Sequence, residues 1–102
     1  MLIFNTTLHI DDSIHDECLI YLKERYIPKA IESKILEQPL LAKIEAQHEE
    51  HGVSYAMQFK TTDIDTLDSW AKTTGQELQQ EMNNRFGSKI AGFVTLLEEI
   101  PL

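Results

Sequence analysis

In HIDDSIHDEC, residues 9–18, two His, four carboxylates and a Cys share ten positions, a density that could hold a metal ion or move a proton. A metal needs several such side chains to converge, and spacing alone does not bring them together. His9 and Asp11 leave the same face of a strand, while Asp12 or Ser13 stands where a helix needs an N-cap oxygen. Asp16 and Glu17 suit the positive end of the helix dipole. His15 and Cys18 could share a helix face, but Cys18 lies on the apolar stripe, where a small buried hydrophobe is its commonest role. The stretch reads as a strand end running into a capped helix, with no metal. In HEEHG, residues 48–52, His48 and His51 flank Glu49 and Glu50, and this reads as a solvated hairpin turn. Arg25 continues the stripe of the first helix, either snorkelling to water or directing its guanidinium into a pocket as an anion ligand. Trp70 reads as a core or interface aromatic.

The elements that must position these groups follow from hydrophobic periodicity. LIFNTTLHI (2–10) sets Leu2, Phe4, Leu8 and Ile10 against Asn5, Thr7 and His9, a strand with one apolar face. Ile14, Cys18, Tyr21 and Leu22 recur at helical spacing, and Pro28 is expected to force Ile27 out of helical geometry, ending this helix near Tyr26. ILEQPLLAKIEAQ (35–47) alternates with Leu36, Leu40, Ala42, Ile44 and Ala46 in phase, and Pro39 marks an edge strand. VSYAMQFKT sets Val53, Tyr55, Met57 and Phe59 against Ser54, Ala56, Gln58 and Lys60, which makes a hairpin. The stretch from Thr62 to Phe86 carries Leu67, Ala71, Thr74, Leu78 and Met82 on a helical face, with Gly75 as a kink or interruption. Gly87 is the stop signal, and KIAGFVTLL is a last strand, apolar on both faces.

The order strand, helix, strand, strand, helix, strand predicts an α+β, ferredoxin-like βαββαβ fold: one domain over residues 1–102, a four-stranded antiparallel sheet with both helices on one face. The other face is left open. Its middle carries Asn5, Thr7, His9 and Gln58, and its rim Ile3, Leu41, Phe93 and Leu97. A polar middle inside an apolar rim is poorly suited to bare solvent, so a homodimer is expected. Two such faces would bury the rim and enclose Asn5, Thr7, His9 and Gln58 as a cavity for a small polar or planar ligand.

With 102 residues and 42% hydrophobic content, the chain can build one modest core. The formal charge is -8 and its 9 Lys and Arg are scattered singly, so nucleic acid and anionic membranes are not expected partners. Cys18 is the only Cys, and polar residues come directly after MLIF, which suits a soluble cytoplasmic protein. No apolar run reaches membrane-spanning length.

The opening strand, the DSIHDEC-L-YLK---IP run and above all RFG-K---F-TLLEE resemble a small bacterial family of domains of unknown function. The resemblance covers nearly the whole chain, and its motifs, Arg85-Phe86-Gly87 and Thr95-Leu96-Leu97-Glu98, are structural in character. It implies a single ferredoxin-like domain of the dimeric α+β barrel type, a superfamily that also contains cofactor-independent monooxygenases and haem-degrading enzymes. Where related sequences favour Trp in the first helix, this chain has Cys18 and Tyr21. Asn5 and Trp70 imitate a strand Asn and a helix Trp of the haem-binding members. Their axial His has no counterpart, since residues 63–86 contain no His, and no cofactor is expected.

Three function classes are compatible with these features. The first is a small dimeric binding or interaction module, favoured because no compact set of nucleophile, base and orienting group is present. In the second, a cofactor-independent oxygenase or isomerase works in the intersubunit cavity with His9 as base and Asn5 or Gln58 as polarising donor. The third is a regulatory subunit whose acidic surface docks a larger protein.

Overall fold

The computed structural model describes residues 1–45 and 51–102, so the expected turn at His48, Glu49 and Glu50 lies outside the described residues. Strand β1 (Leu2–Asp11) alternates as its sequence demands, with Phe4, Leu8 and Ile10 buried on one face. Asp11 ends the strand and caps the first turn of the helical segment: its carboxylate accepts the Ser13 backbone N–H at 2.8 Å and the Ser13 hydroxyl at 2.7 Å. The cap is therefore Asp11, not Asp12 or Ser13, because a 3-10 turn at Asp12–Ile14 starts the helix early.

Helix α1 spans residues 12–31 and does not stop at Tyr26. Ile27 is fully helical, with φ -61 and ψ -48, and its N–H bonds the Leu22 carbonyl five residues back. That π turn, Leu22–Tyr26, is what admits Pro28. In a regular α-helix the proline ring would meet the carbonyl of Glu24, and the wider turn moves that carbonyl aside.

Strand β2 (Glu37–Lys43) pairs with β3 (Gly52–Thr61) through a bulge between Glu37 and Leu40, where Gln38 takes φ +51. Pro39 sits inside the bulge, where its missing N–H costs no ladder bond. The bulge corrects one expected rim residue. Leu36 is buried beneath the helices, and the extra residue flips everything after it, so that Leu41 pairs with buried Met57 and packs against the core. Leu40 takes its place on the open face, pairing with Gln58 and 53% exposed.

Helix α2 spans residues 64–86, capped by the Asp63 carboxylate, which accepts the Thr66 N–H at 2.8 Å. It too contains a π turn, Ala71–Gly75. The Thr73 hydroxyl takes up carbonyls there, donating to that of Ser69 at 2.9 Å. The extra residue moves the buried stripe, which runs through Leu67, Trp70, Leu78, Met82 and Phe86 and leaves Ala71 exposed. Gly87, at φ +56, ends the helix as expected.

Strand β4 (Ile90–Glu98) pairs along its whole length with β1, and the sheet order is β2-β3-β1-β4, antiparallel throughout. This is the ferredoxin-like arrangement. The core lies between the sheet and the helices, around Phe4, Ile10, Cys18, Leu22, Phe59 and Trp70. No helix among the described residues is long and apolar enough to cross a membrane.

Candidate functional site

The open sheet face holds the polar middle as anticipated. Asn5 lies opposite Gln58, Thr7 opposite Ala56 and His9 opposite Ser54, all pointing away from the helices. These groups bond to one another: the Gln58 amide donates to Asn5 Oδ1 at 3.1 Å, Asn5 Nδ2 donates to the Thr7 hydroxyl at 3.2 Å, and His9 Nδ1 lies 3.1 Å from the Ser54 hydroxyl. Asn5 is only 8% exposed in one copy of the chain. His9 lies over Gly52, where a Cβ would come within 2.6 Å of Nε2. Around this middle stand Ile3, Leu40, Phe93 and Leu97, of which Phe93 is 64% exposed.

The clustered residues of the opening stretch do different work. His15 Nε2 lies 2.7 Å from the Tyr55 hydroxyl and Nδ1 lies 2.9 Å from Asp16, so the imidazole braces the start of α1 against β3. Burial, then the Asp16 charge, raises the Tyr55 phenol above its ordinary range. Cys18 is fully buried, and that burial, with Glu17 nearby, pushes its thiol up to about 11. No three potential ligands converge on a metal among the described residues.

Arg25 is half exposed and borders a pocket of about 330 Å³ with Tyr21 and Arg85, and its guanidinium is taken up by a carboxylate. Its Nε and Nη2 donate to the two oxygens of Glu81 at 3.0 and 3.1 Å, tying the π turn of α1 to α2. The guanidinium holds the Glu81 carboxyl below its usual range.

A groove of about 680 Å³ lies on the other side of the sheet, between α2 and strands β1 and β4. Sequence reading missed it. Phe4 and Leu8 form its floor, Trp70 and Met82 one wall, and Tyr26 its end, with Val94 at the open margin. It exists because α2 covers β1 but stops short of β4, leaving Val94 56% and Leu96 44% exposed on the helix side. Both π turns border it: Tyr26 closes the first, and Ala71, Lys72 and Gly75 belong to the second.

Trp70 is locked in place. Its indole donates to the Ala30 carbonyl at 3.0 Å, and its ring meets Phe4 edge-on at 5.7 Å. Gly75 makes room for it, since a Cβ there would lie 2.7 Å from the indole. Tyr26 is 6% exposed, its hydroxyl makes no hydrogen bond to any described residue, and burial pushes its phenol up to about 12. The Gln79 and Asn83 side chains, 3.5 Å apart, line the α2 side. No carboxylate, imidazole or thiol lines the groove among the described residues. The available signal was Pro28 and Gly75, both helix-disfavouring residues: Pro28 stands two residues after the first π turn and Gly75 ends the second.

Asn5 stands on the first strand and Trp70 on the second helix, as in the haem-binding resemblance. The sheet separates them, Asn5 on the open face and Trp70 beneath the helices.

Residues 1–100 match the family described as "Domain of unknown function (DUF4286)". No curated protein matches the chain. Among solved structures it is similar to an ethyl tert-butyl ether D (EthD) family protein from Bacillus halodurans C-125, with a TM-score of 0.71 and 13% identity, covering 98% of this chain and 100% of that one. At that identity the likeness shows the fold.

Proposed function

Since this chain belongs to the DUF4286 family of domains of unknown function, whose description carries no activity to transfer, we propose from the geometry that it is a small-molecule-binding domain that self-associates through its open sheet face. The observation that carries the binding reading is the convergence of both π turns on one groove. Irregular helical turns cost regular hydrogen bonding and recur at functional sites, and here each one delivers wall residues to the same space. A volume of about 680 Å³ falls in the range of small-molecule sites. A lining without carboxylate, imidazole or thiol suits binding better than proton transfer.

Self-association uses the opposite face and leaves the groove free. Four strands at a spacing of about 4.8 Å, nine or so residues long at about 3.3 Å each, present a projected area of roughly 600 Å², below the roughly 800 Å² per partner of a standard interface and in the range of a weaker one. Ile3, Leu40, Phe93 and Leu97 supply its apolar rim, and Asn5, Thr7 and Gln58 enter it already linked by two hydrogen bonds. A second reading keeps Asn5, Thr7, His9 and Gln58 as the lining of an intersubunit cavity for a small polar ligand. It draws on the near-complete burial of Asn5 in a single copy.

The two readings separate in one experiment. Thr6→Phe fills the groove from its floor, whereas Asn5→Ala and His9→Ala alter the open face. Small flat apolar compounds that quench Trp70 should lose that effect in Thr6→Phe and keep it in Asn5→Ala. Loss in Asn5→Ala alone would overturn the groove in favour of the intersubunit cavity.

A further inference from the structure

We propose that the groove takes a neutral, flat, largely apolar molecule carrying a carbonyl-type hydrogen-bond acceptor, and that the Tyr26 hydroxyl is the donor that recognises it. This inference rests on the groove being the ligand site. Flatness follows from the walls, because the rings of Phe4, Trp70 and Tyr26 border the space and favour edge-on or offset packing against another planar system.

Neutrality follows from the charges. The one cation on the lining among the described residues, Lys72, has its ammonium 2.8 Å from Asp68 and lies 73% exposed at the margin. An anion seated between Phe4, Trp70 and Met82 would give up its hydration with no countercharge to receive it, and a cation would find no carboxylate on the described lining.

The acceptor follows from the donors: the Gln76, Gln79, Gln80 and Asn83 amides on the lining belong to exposed residues that water already serves, which leaves the two buried donors, Trp70 and Tyr26. The Trp70 indole N–H is spent on the Ala30 carbonyl, so it cannot serve a ligand. The Tyr26 hydroxyl has no partner among the described residues although its residue is 6% exposed, and it stays protonated through neutral pH because burial opposes ionisation. The oxygen itself is within reach of water, and an acceptor carried into the groove takes that water's place. A molecule of three fused rings is well within the available volume of about 680 Å³.

The test compares three probes of one shape: fluorenone, fluorene, which lacks the carbonyl, and a fluorenone carboxylate. Binding to the full chain is read by calorimetry and by quenching of Trp70, its single Trp. Fluorenone should bind about tenfold more tightly than either of the others, the difference expected of one buried hydrogen bond or one unpaired charge. Tyr26→Phe, which keeps the ring, should erase the preference for fluorenone over fluorene. Equal binding of fluorenone and fluorene by the unaltered chain, tighter binding of the carboxylate, or a preference that survives in Tyr26→Phe would overturn this ligand class and leave the groove reading standing. Failure of all three probes to bind would overturn both. The probe series needs no variant, so the inference stays testable if Tyr26→Phe folds poorly.

Discussion

Gly75 shows how much one hydrogen atom decides. A methyl group there would lie 2.7 Å from Trp70, which is itself held by Phe4 and the Ala30 carbonyl and has little freedom to yield. Gly75→Ala should therefore cost about 1 to 3 kcal/mol by overpacking, although alanine is the better helix former, and should shift the Trp70 emission. Urea denaturation checks the sign: a gain in stability would mean that the indole moves easily. Asp63 and Asp11 act through charge instead. Hydrogen bonds from Thr66 and Ser13 hold their carboxyls below the ordinary value of 3.8, and Arg25 holds Glu81 below 4.5. A carboxylate whose folded value is depressed stabilises the fold above its unfolded value and loses that contribution as pH falls through the folded one. The melting temperature should thus stay level from neutral pH down to pH about 5 and then drop. Asp63→Asn should flatten part of that drop.

Among the elements, β2 and the two helices carry irregularities that redirect side chains. The β2 bulge exchanges Leu40 for Leu41 on the open face, and a matched pair of substitutions reads it out. Leu41→Asp places a charge against the core and should cost about 2 to 4 kcal/mol. Leu40→Asp should leave the monomer's stability nearly unchanged while weakening self-association. Reversal of the two effects, in denaturation and light scattering, would mean that the strand pairs without its bulge. The π turns do for the helices what the bulge does for the strand. Each inserts a residue, shifts the buried stripe and turns a wall toward the groove, which is why a regular 3.6-residue reading put Ala71 where Trp70 belongs.

At the scale of the whole molecule, the sheet separates two surfaces with different roles in the proposal, one for assembly and one for ligand. Light scattering should return a dimer at micromolar concentration, and Phe93→Asp, at a rim position 64% exposed, should return a monomer that still folds. A monomer from the unaltered chain would remove the assembly reading without touching the groove. Chelator treatment should leave the melting temperature unchanged, because Asp11 is engaged as a cap, His15 braces Tyr55 and Cys18 is packed in the core. A large drop reversed by zinc would show a site that these partnerships conceal.

The sequence by itself determined the element order, the ferredoxin-like fold, the polar middle of the open face and the structural character of HIDDSIHDEC. All of these rest on period-two and period-3.6 patterns and on local capping, interactions that neighbouring residues settle among themselves. Leu41, the end of α1 and the groove were decided only by tertiary structure. A bulge or π turn spends local regularity and is stabilised by distant partners: Leu41 against Met57, Arg25 with Glu81, and Trp70 between Phe4 and the Ala30 carbonyl. Pro28 and Gly75 marked where regularity would fail, but which way each turn would open depended on the layer packed against it.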